Sequence, residues 1–118
     1  MDATTTSLGN QAESDALAYL QSNGCHLVVS NYRTKSGEID LIVEHDGILV
    51  FVEVRYRRDT SRGTGAETVT HMKRLRIIRT AKHFLSTHKQ FRKMPCRFDV
   101  VSMGPSIDWI IRAFTLDD

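Results

Sequence analysis

Two carboxylates, Asp40 and Glu53, are the residues in this 118-residue chain whose spacing most clearly suggests chemistry. They lie on either side of an Asp-Gly dipeptide at 46–47, which is a strong signal for a tight hairpin turn between two apolar segments. In a two-residue turn His45 pairs with Ile48, and the same register places Asp40 directly opposite Glu53. Opposed residues point to the same face, with Cβ atoms about 4.5–5.5 Å apart. The hairpin therefore predicts a close pair of carboxylates.

Such a pair is destabilising unless something positive compensates the repulsion. Mg²⁺, or Mn²⁺ in its place, is a natural candidate, because it takes hard oxygen ligands and often uses only one or two carboxylates. Arg55 follows Glu53 on the same face of the strand and offers another compensating charge. Both interpretations, a metal site and a structural pair held by arginines, are consistent with the spacing. Tyr56 alternates to the opposite face, where we expect it to pack.

The elements that must position these carboxylates follow from hydrophobic spacing and turn signals. The spacing predicts a helix over residues 8–22 and a second helix over residues 68–87. Five strands are predicted, at 26–33, 38–44, 48–56, 97–103 and 108–114. The predicted buried face of the second helix consists of Val69, Met72, Leu75, Ile78, Ala81 and Leu85. This αβββαββ order is typical of one α/β domain over 1–118, with residues 1–6 frayed.

The charge of the chain is unevenly distributed, although the formal net charge is only +2. Residues 55–97 carry 13 Lys or Arg against 2 acids, and the rest of the chain carries 3 against 12. This asymmetry favours an anionic partner such as nucleic acid for one face of the fold. An ordinary solvated helix face is the alternative. The candidate phosphate contacts are Arg57, Arg58 and Arg62 on the loop after the third strand, and Lys73, Arg74 and Arg76 on the second helix.

Other functional classes find little support in the sequence. Its composition, with 41% hydrophobic and 25% charged residues, is that of an ordinary globular protein. No apolar run approaches the roughly 20 residues of a membrane span, and no secretory signal pattern is present. Cys25 and Cys96 fall in no metal-binding spacing. We therefore expect a cytoplasmic protein with reduced thiols and no membrane partner.

Two segments of the chain resemble a known signature. Gly-Glu-Ile-Asp-Leu-Ile at 37–42, followed by Val-Phe-Val-Glu-Val-Arg-Tyr-Arg at 50–57, resembles the PD-(D/E)xK nuclease motif. The closest similarity is to the YraN-like family of predicted endonucleases. It extends to Gly-x-x-Ala-Glu at 9–13, Val-Thr at 69–70 and Arg-Phe-Asp-Val-Val at 97–101.

The resemblance implies a restriction-endonuclease-like fold, with a central mixed sheet flanked by helices. It implies that Asp40 and Glu53 hold a divalent metal, Mg²⁺ or Mn²⁺, with the Val54 carbonyl as a third ligand. Glu13 looks like the first-helix acid that related Holliday-junction resolvases add to the site. The implied chemistry is metal-dependent hydrolysis of phosphodiester bonds in DNA, with branched or structured DNA as one substrate class.

The chain departs from this signature at one position, where Arg55 replaces the usual lysine. An arginine cannot take up a proton from water, because its pKa is above about 12 and the side chain is therefore already protonated. It can still bind phosphate and stabilise charge in the transition state. Lys73 on the second helix is a candidate substitute for the motif lysine. Alternatively, catalysis is lost and a nucleic-acid-binding module in a repair or processing complex remains. A homodimer is a further expectation, since one small domain offers little surface to a duplex.

Overall fold

The computed structural model describes residues 4–57 and 69–115, of which residues 4–10 are described by their backbone only. The elements are α1 (Thr4–Ser22), β1 (Cys25–Thr34), β2 (Gly37–His45), β3 (Ile48–Tyr56), α2 (His71–Thr87), a short 3-10 helix (Lys89–Phe91), β4 (Cys96–Met103) and β5 (Asp108–Phe114). The five strands form one sheet in the order β1-β2-β3-β4-β5. β3 and β4 are parallel and the other neighbours are antiparallel. The prediction of an α/β protein with a central mixed sheet is confirmed.

The hairpin between β2 and β3 forms in the predicted register. Asp46 and Gly47 both have positive φ, 51° and 78°, as a two-residue turn of the mirror-image type requires. The paired positions run from His45–Ile48 to Leu41–Val52. The turn chemistry at 46–47 thus sets the register of the two strands that carry the acids.

Each face of the sheet is covered by one helix. β3 shows the division, because Leu49 and Phe51 pack in the cluster that contains α2, whereas Val50 and Val52 pack in the cluster that contains α1. The buried residues that α1 contributes are Ala12, Ala16 and Leu20. All four β3 side chains are at most 1% exposed. β3 is therefore the central strand, and the polar side chains at its end follow directly on a fully buried segment.

The helices differ from their predicted limits. α1 begins at Thr4, four residues before the predicted start. α2 begins at His71 rather than Thr68, because the Thr70 hydroxyl caps it by accepting from the Lys73 N–H at 3.2 Å. Met72, predicted to be buried, is 60% exposed in the first turn of α2. The buried face lies further along the helix and consists of Ile77, Ile78, Thr80, Ala81 and Phe84.

Gly37, the first residue of β2, fixes how closely α2 approaches that strand. A Cβ on Gly37 would lie 3.3 Å from the Arg76 Cβ and 3.4 Å from the Thr80 hydroxyl. Its φ of +156° also lies in a region that side chains rarely adopt. A residue without a side chain therefore lets the start of β2 lie against α2, and this contact brings the cations of α2 to the acids of β2 and β3.

Within the described residues, no helix is both long and apolar enough to cross a membrane.

Candidate functional site

The candidate site lies where β2 and β3 diverge. The last paired positions of the hairpin are Leu41 and Val52. One residue further, the Asp40 carboxylate accepts a hydrogen bond from the Val54 N–H at 2.8 Å. A side chain thus takes the place of a strand–strand hydrogen bond, and the opening between the strands is lined by carboxyl oxygens instead of paired backbone.

Asp40 and Glu53 come together in this opening, on the same side. Glu53 is only 5% exposed, and the two carboxyl groups are hydrogen-bonded to each other. Burial raises the pKa of Asp40 to about 8, and the neighbouring Glu53 charge and hydrogen bond act in the same direction. The Val54 N–H lowers that pKa, but by less. Without a bound metal ion, the protonated form of Asp40 is therefore favoured at neutral pH.

Two cationic side chains lie against this pair. The ammonium of Lys73, on α2, forms an ion pair with Glu53 Oε2. Arg55 Nη1 is 3.7 Å from the same oxygen, so this arginine lies at the site from β3. Lys73 is separated from Glu53 by a long stretch of chain and reaches it only through the packing of α2. The structure therefore brings together the signature's arginine and the lysine predicted to substitute for it.

A second acidic group enters from the other side of the sheet. Glu13, on α1, is half-buried, and burial followed by the charges of Glu38 and Glu53 raises its pKa. With its amide nitrogen facing the carboxylates, Asn31 donates to Glu13 Oε1 at 2.8 Å and to Glu38 Oε1 at 3.1 Å. Arg33 Nε lies 3.4 Å from the same Glu38 oxygen. Asn31 was not identified from the sequence. Its only signal is an amide residue inside a strand.

These groups open onto a cavity of about 500 Å³. The functional side chains that line it come from four elements and include Glu13, Glu38, Asp40, Glu53, Lys73 and Arg76. Tyr56 also lines it and is 53% exposed, so the prediction that this ring packs away is wrong. Both sides of β3 are accessible at its end, and alternation along the strand does not bury the ring there. The volume suits one nucleotide-sized group.

The remaining predicted phosphate contacts divide into four cases. Arg76 lines the cavity and is exposed. Arg74 lies away from it, because its Nε donates to the Val69 carbonyl at 3.1 Å and its guanidinium lies 5.4 Å from the centre of the Phe114 ring. Arg57 directly follows β3, with its N–H donating to the Met103 carbonyl at 2.6 Å. Arg58 and Arg62 lie outside the described residues.

The donor set fits a hard divalent cation. Asp40 and Glu53 provide carboxylate oxygens in mutual contact, and the two-carboxylate pattern matches how Mg²⁺ is commonly held. Among residues 4–57 and 69–115, no three His, Cys, Asp or Glu side chains converge into a complete metal cage. Water and substrate oxygens would complete the coordination of a cation held here, as is usual for Mg²⁺. The role of the Val54 carbonyl stays a prediction.

A second polar cluster lies at β4 and β5, and it is structural. Asp99 is fully buried and accepts from Arg97 Nε at 3.0 Å, from Trp109 Nε1 at 2.9 Å and from the Arg112 N–H at 3.1 Å. Arg97 also lies 3.1 Å from a ring nitrogen of His45. These contacts satisfy the buried carboxylate and fasten the edge strand β5. Arg97 is therefore the ionic partner of Asp99.

Comparison with known proteins identifies the family. The model of the uncharacterised protein family UPF0102 matches residues 12–103, which include every described residue of the candidate site. The chain belongs to this family. It is the YraN-like family that the sequence motifs resemble, so that prediction is confirmed.

Relatives at moderate identity match almost the whole chain. A UPF0102 protein of Cupriavidus pinatubonensis is 48% identical over 117 residues, covering 98% of this chain and 91% of the relative. One from Saccharophagus degradans is 44% identical over 111 residues, 93% of this chain and 94% of the relative. Another, from Coxiella burnetii, is 41% identical over 119 residues, 99% of each chain. The names of these proteins give the family and state no activity.

Proposed function

We propose that this protein is a divalent-metal-dependent nuclease that hydrolyses phosphodiester bonds in DNA. The observation that carries the proposal is the contact between the half-buried Asp40 and the buried Glu53 carboxyl groups, beside two cations, in the lining of a nucleotide-sized cavity. The two acids lie on the hairpin of β2 and β3, and β3 pairs in parallel with β4. This arrangement also supports a restriction-endonuclease-like fold. The basic surface of α2, at Arg76 and the exposed Arg79 and Lys82, supports an anionic substrate.

Asp40 and Glu53 would hold Mg²⁺ or Mn²⁺, with Glu13 as an auxiliary acid. Such an ion polarises the phosphate and lowers the pKa of an attacking water. The reaction forms a bond between the water oxygen and phosphorus and breaks one P–O bond to a sugar. The water loses a proton, and the departing sugar oxygen gains one. The chain contributes the carboxylates that place the ion and the charges that stabilise the phosphate during the reaction.

Lys73 takes the role of the motif lysine in this proposal. Its ammonium already lies at Glu53 Oε2, closer than the guanidinium of Arg55. A cation at the carboxylate pair is within reach of a phosphate bound there and stabilises the negative charge that develops on it. Arg55 adds a second positive charge and can bind phosphate through two N–H groups.

Cleavage assays test the proposal. Purified protein is incubated in Mg²⁺ or Mn²⁺ with flapped, branched, single-stranded and duplex DNA and with RNA. We expect cleavage of DNA that falls by about 100-fold or more in Asp40→Asn and in Glu53→Gln, because each change removes one metal-binding carboxylate. Asp15→Asn, an exposed acid on α1, is the matched control and should cleave within about twofold of wild type. Cleavage that survives in both site variants would show that the site is wrong.

A nuclease-like binding module without catalysis is the second candidate. Arg55 at the motif position favours it, since arginine cannot take up a proton from water. In that case the same assays would show binding to nucleic acid under every metal condition and cleavage under none.

A further inference from the structure

We propose that Asn31 is a positioning residue, whose side-chain amide holds the Glu13 carboxylate at the metal-binding cavity. This inference rests on the proposed function, and it assigns Asn31 a role in loading the site with metal. Asn31 itself does not touch the metal or the substrate. It acts through Glu13, which it joins to the sheet.

The hydrogen bonds of the amide support this role. An asparagine amide nitrogen has two N–H donors. One reaches Glu13 Oε1 on α1 at 2.8 Å and the other reaches Glu38 Oε1 on β2 at 3.1 Å. Both donors are used, and the opposite orientation of the amide would direct its oxygen at two carboxylates. Asn31 therefore links three elements at one edge of the cavity.

The position of Asn31 in β1 places it beside the metal-binding acid of β2. Its neighbours pair with the residues on either side of Asp40, Ser30 with Leu41 and Tyr32 with Ile39. Asn31 has a φ of +54°, which few residues other than glycine adopt and which asparagine tolerates. Such a conformation costs free energy and persists where the surrounding contacts require it. Here the two hydrogen bonds to Glu13 and Glu38 hold Asn31 in this conformation.

The charges around Asn31 explain why an amide suits this position. The charges of Glu38 and Glu53 both repel the Glu13 carboxylate and, after burial, raise its pKa. A lysine or arginine here would bind the carboxylates but would cancel the negative charge that attracts a cation. A neutral amide donates two hydrogen bonds and leaves that charge in place. Arg33 balances Glu38 on the outer side, 3.4 Å away.

Asn31→Gly is the informative variant, because glycine adopts the left-handed backbone readily and removes the side chain that carries the amide. Mn²⁺ affinity is measured by electron paramagnetic resonance of the free ion, so no catalytic activity is needed. We expect Asn31→Gly and Glu13→Gln each to weaken Mn²⁺ binding by about tenfold. The double variant should bind no more weakly than Glu13→Gln alone, because the amide acts through that carboxylate. Ser30→Ala, at the neighbouring exposed position, should change the affinity by less than about twofold.

The outcomes separate this inference from the proposed function. Full Mn²⁺ affinity in Asn31→Gly, or effects that add in the double variant, would overturn the role of Asn31 while leaving the metal site intact. Mn²⁺ binding that is unaffected by Asp40→Asn would instead overturn the metal site and, with it, the inference. Equal, non-additive losses in the two single variants, with binding lost in Asp40→Asn, would support both.

Discussion

Asp99→Asn should lower the free energy of unfolding by about 3–5 kcal/mol, the largest effect on stability that we expect from a single substitution. Asp99 is fully buried and accepts hydrogen bonds from the Arg97 side chain, the indole of Trp109 and the Arg112 backbone. The asparagine has the same size but no charge, so the buried guanidinium of Arg97 loses its ionic partner. Breaking a buried pair from one side is costly, because the remaining charge is uncompensated.

Chemical denaturation measures this effect, with Asp108→Asn as the matched control. Asp108 is an exposed carboxylate at the start of β5, and we expect its loss to change stability by less than about 0.5 kcal/mol. Arg97→Met combined with Asp99→Asn should recover part of the loss, since the unpaired charge is then gone. An Asp99→Asn protein as stable as the control would contradict the structural role of the cluster.

Lys73→Met should reduce the rate of DNA cleavage by about 10²–10⁴-fold, which is the largest effect on activity expected outside the metal ligands. The variant keeps a long apolar side chain and removes only the charge that forms the ion pair with Glu53. Arg55→Met should have a smaller effect, because its guanidinium is further from the carboxylate, at 3.7 Å. Rates are measured under single-turnover conditions on the best DNA substrate.

Lys89→Met is the control for this experiment. Lys89 is an exposed lysine on the short 3-10 helix after α2, and its loss should change the cleavage rate by less than about threefold. Thermal unfolding of each variant establishes that the fold is retained. A Lys73→Met protein that cleaves at the wild-type rate, beside an inactive Arg55→Met protein, would assign the motif role to Arg55 instead of Lys73.

The acidic pair could be predicted from the sequence because its determinants are local. The Asp-Gly turn at 46–47 fixes the hairpin, and the register then brings Asp40 to Glu53 without any knowledge of the rest of the fold. The strand bounds were also well defined, since apolar alternation and turn residues occur close together along the chain. The opening of the hairpin beyond Leu41 was not predicted, because it depends on a side chain replacing a backbone hydrogen bond.

Contacts between distant elements were harder to predict. Lys73 was only one of two candidates for the motif cation, since its position at Glu53 depends on how α2 packs at Gly37. Asn31 was missed because its contacts join α1, β1 and β2, and no spacing along the chain indicates them. Arg74 was expected to contact phosphate, but its guanidinium lies over the Phe114 ring. Charge patterning shows that a helix has a basic face and not where each side chain points.

Metal binding with proton release, measured by titration calorimetry in buffers of different ionisation enthalpy, decides whether Asp40 and Glu53 hold a metal ion. Because the pKa of Asp40 is raised to about 8, this group carries a proton at pH 7 in the metal-free protein and must lose it to bind a cation. We predict saturable Mn²⁺ binding that releases close to one proton per ion at pH 7 and far less at about pH 9. We predict no such binding in Asp40→Asn or Glu53→Gln. Equal Mn²⁺ affinity in wild type and both variants would show that these two carboxylates do not hold the ion.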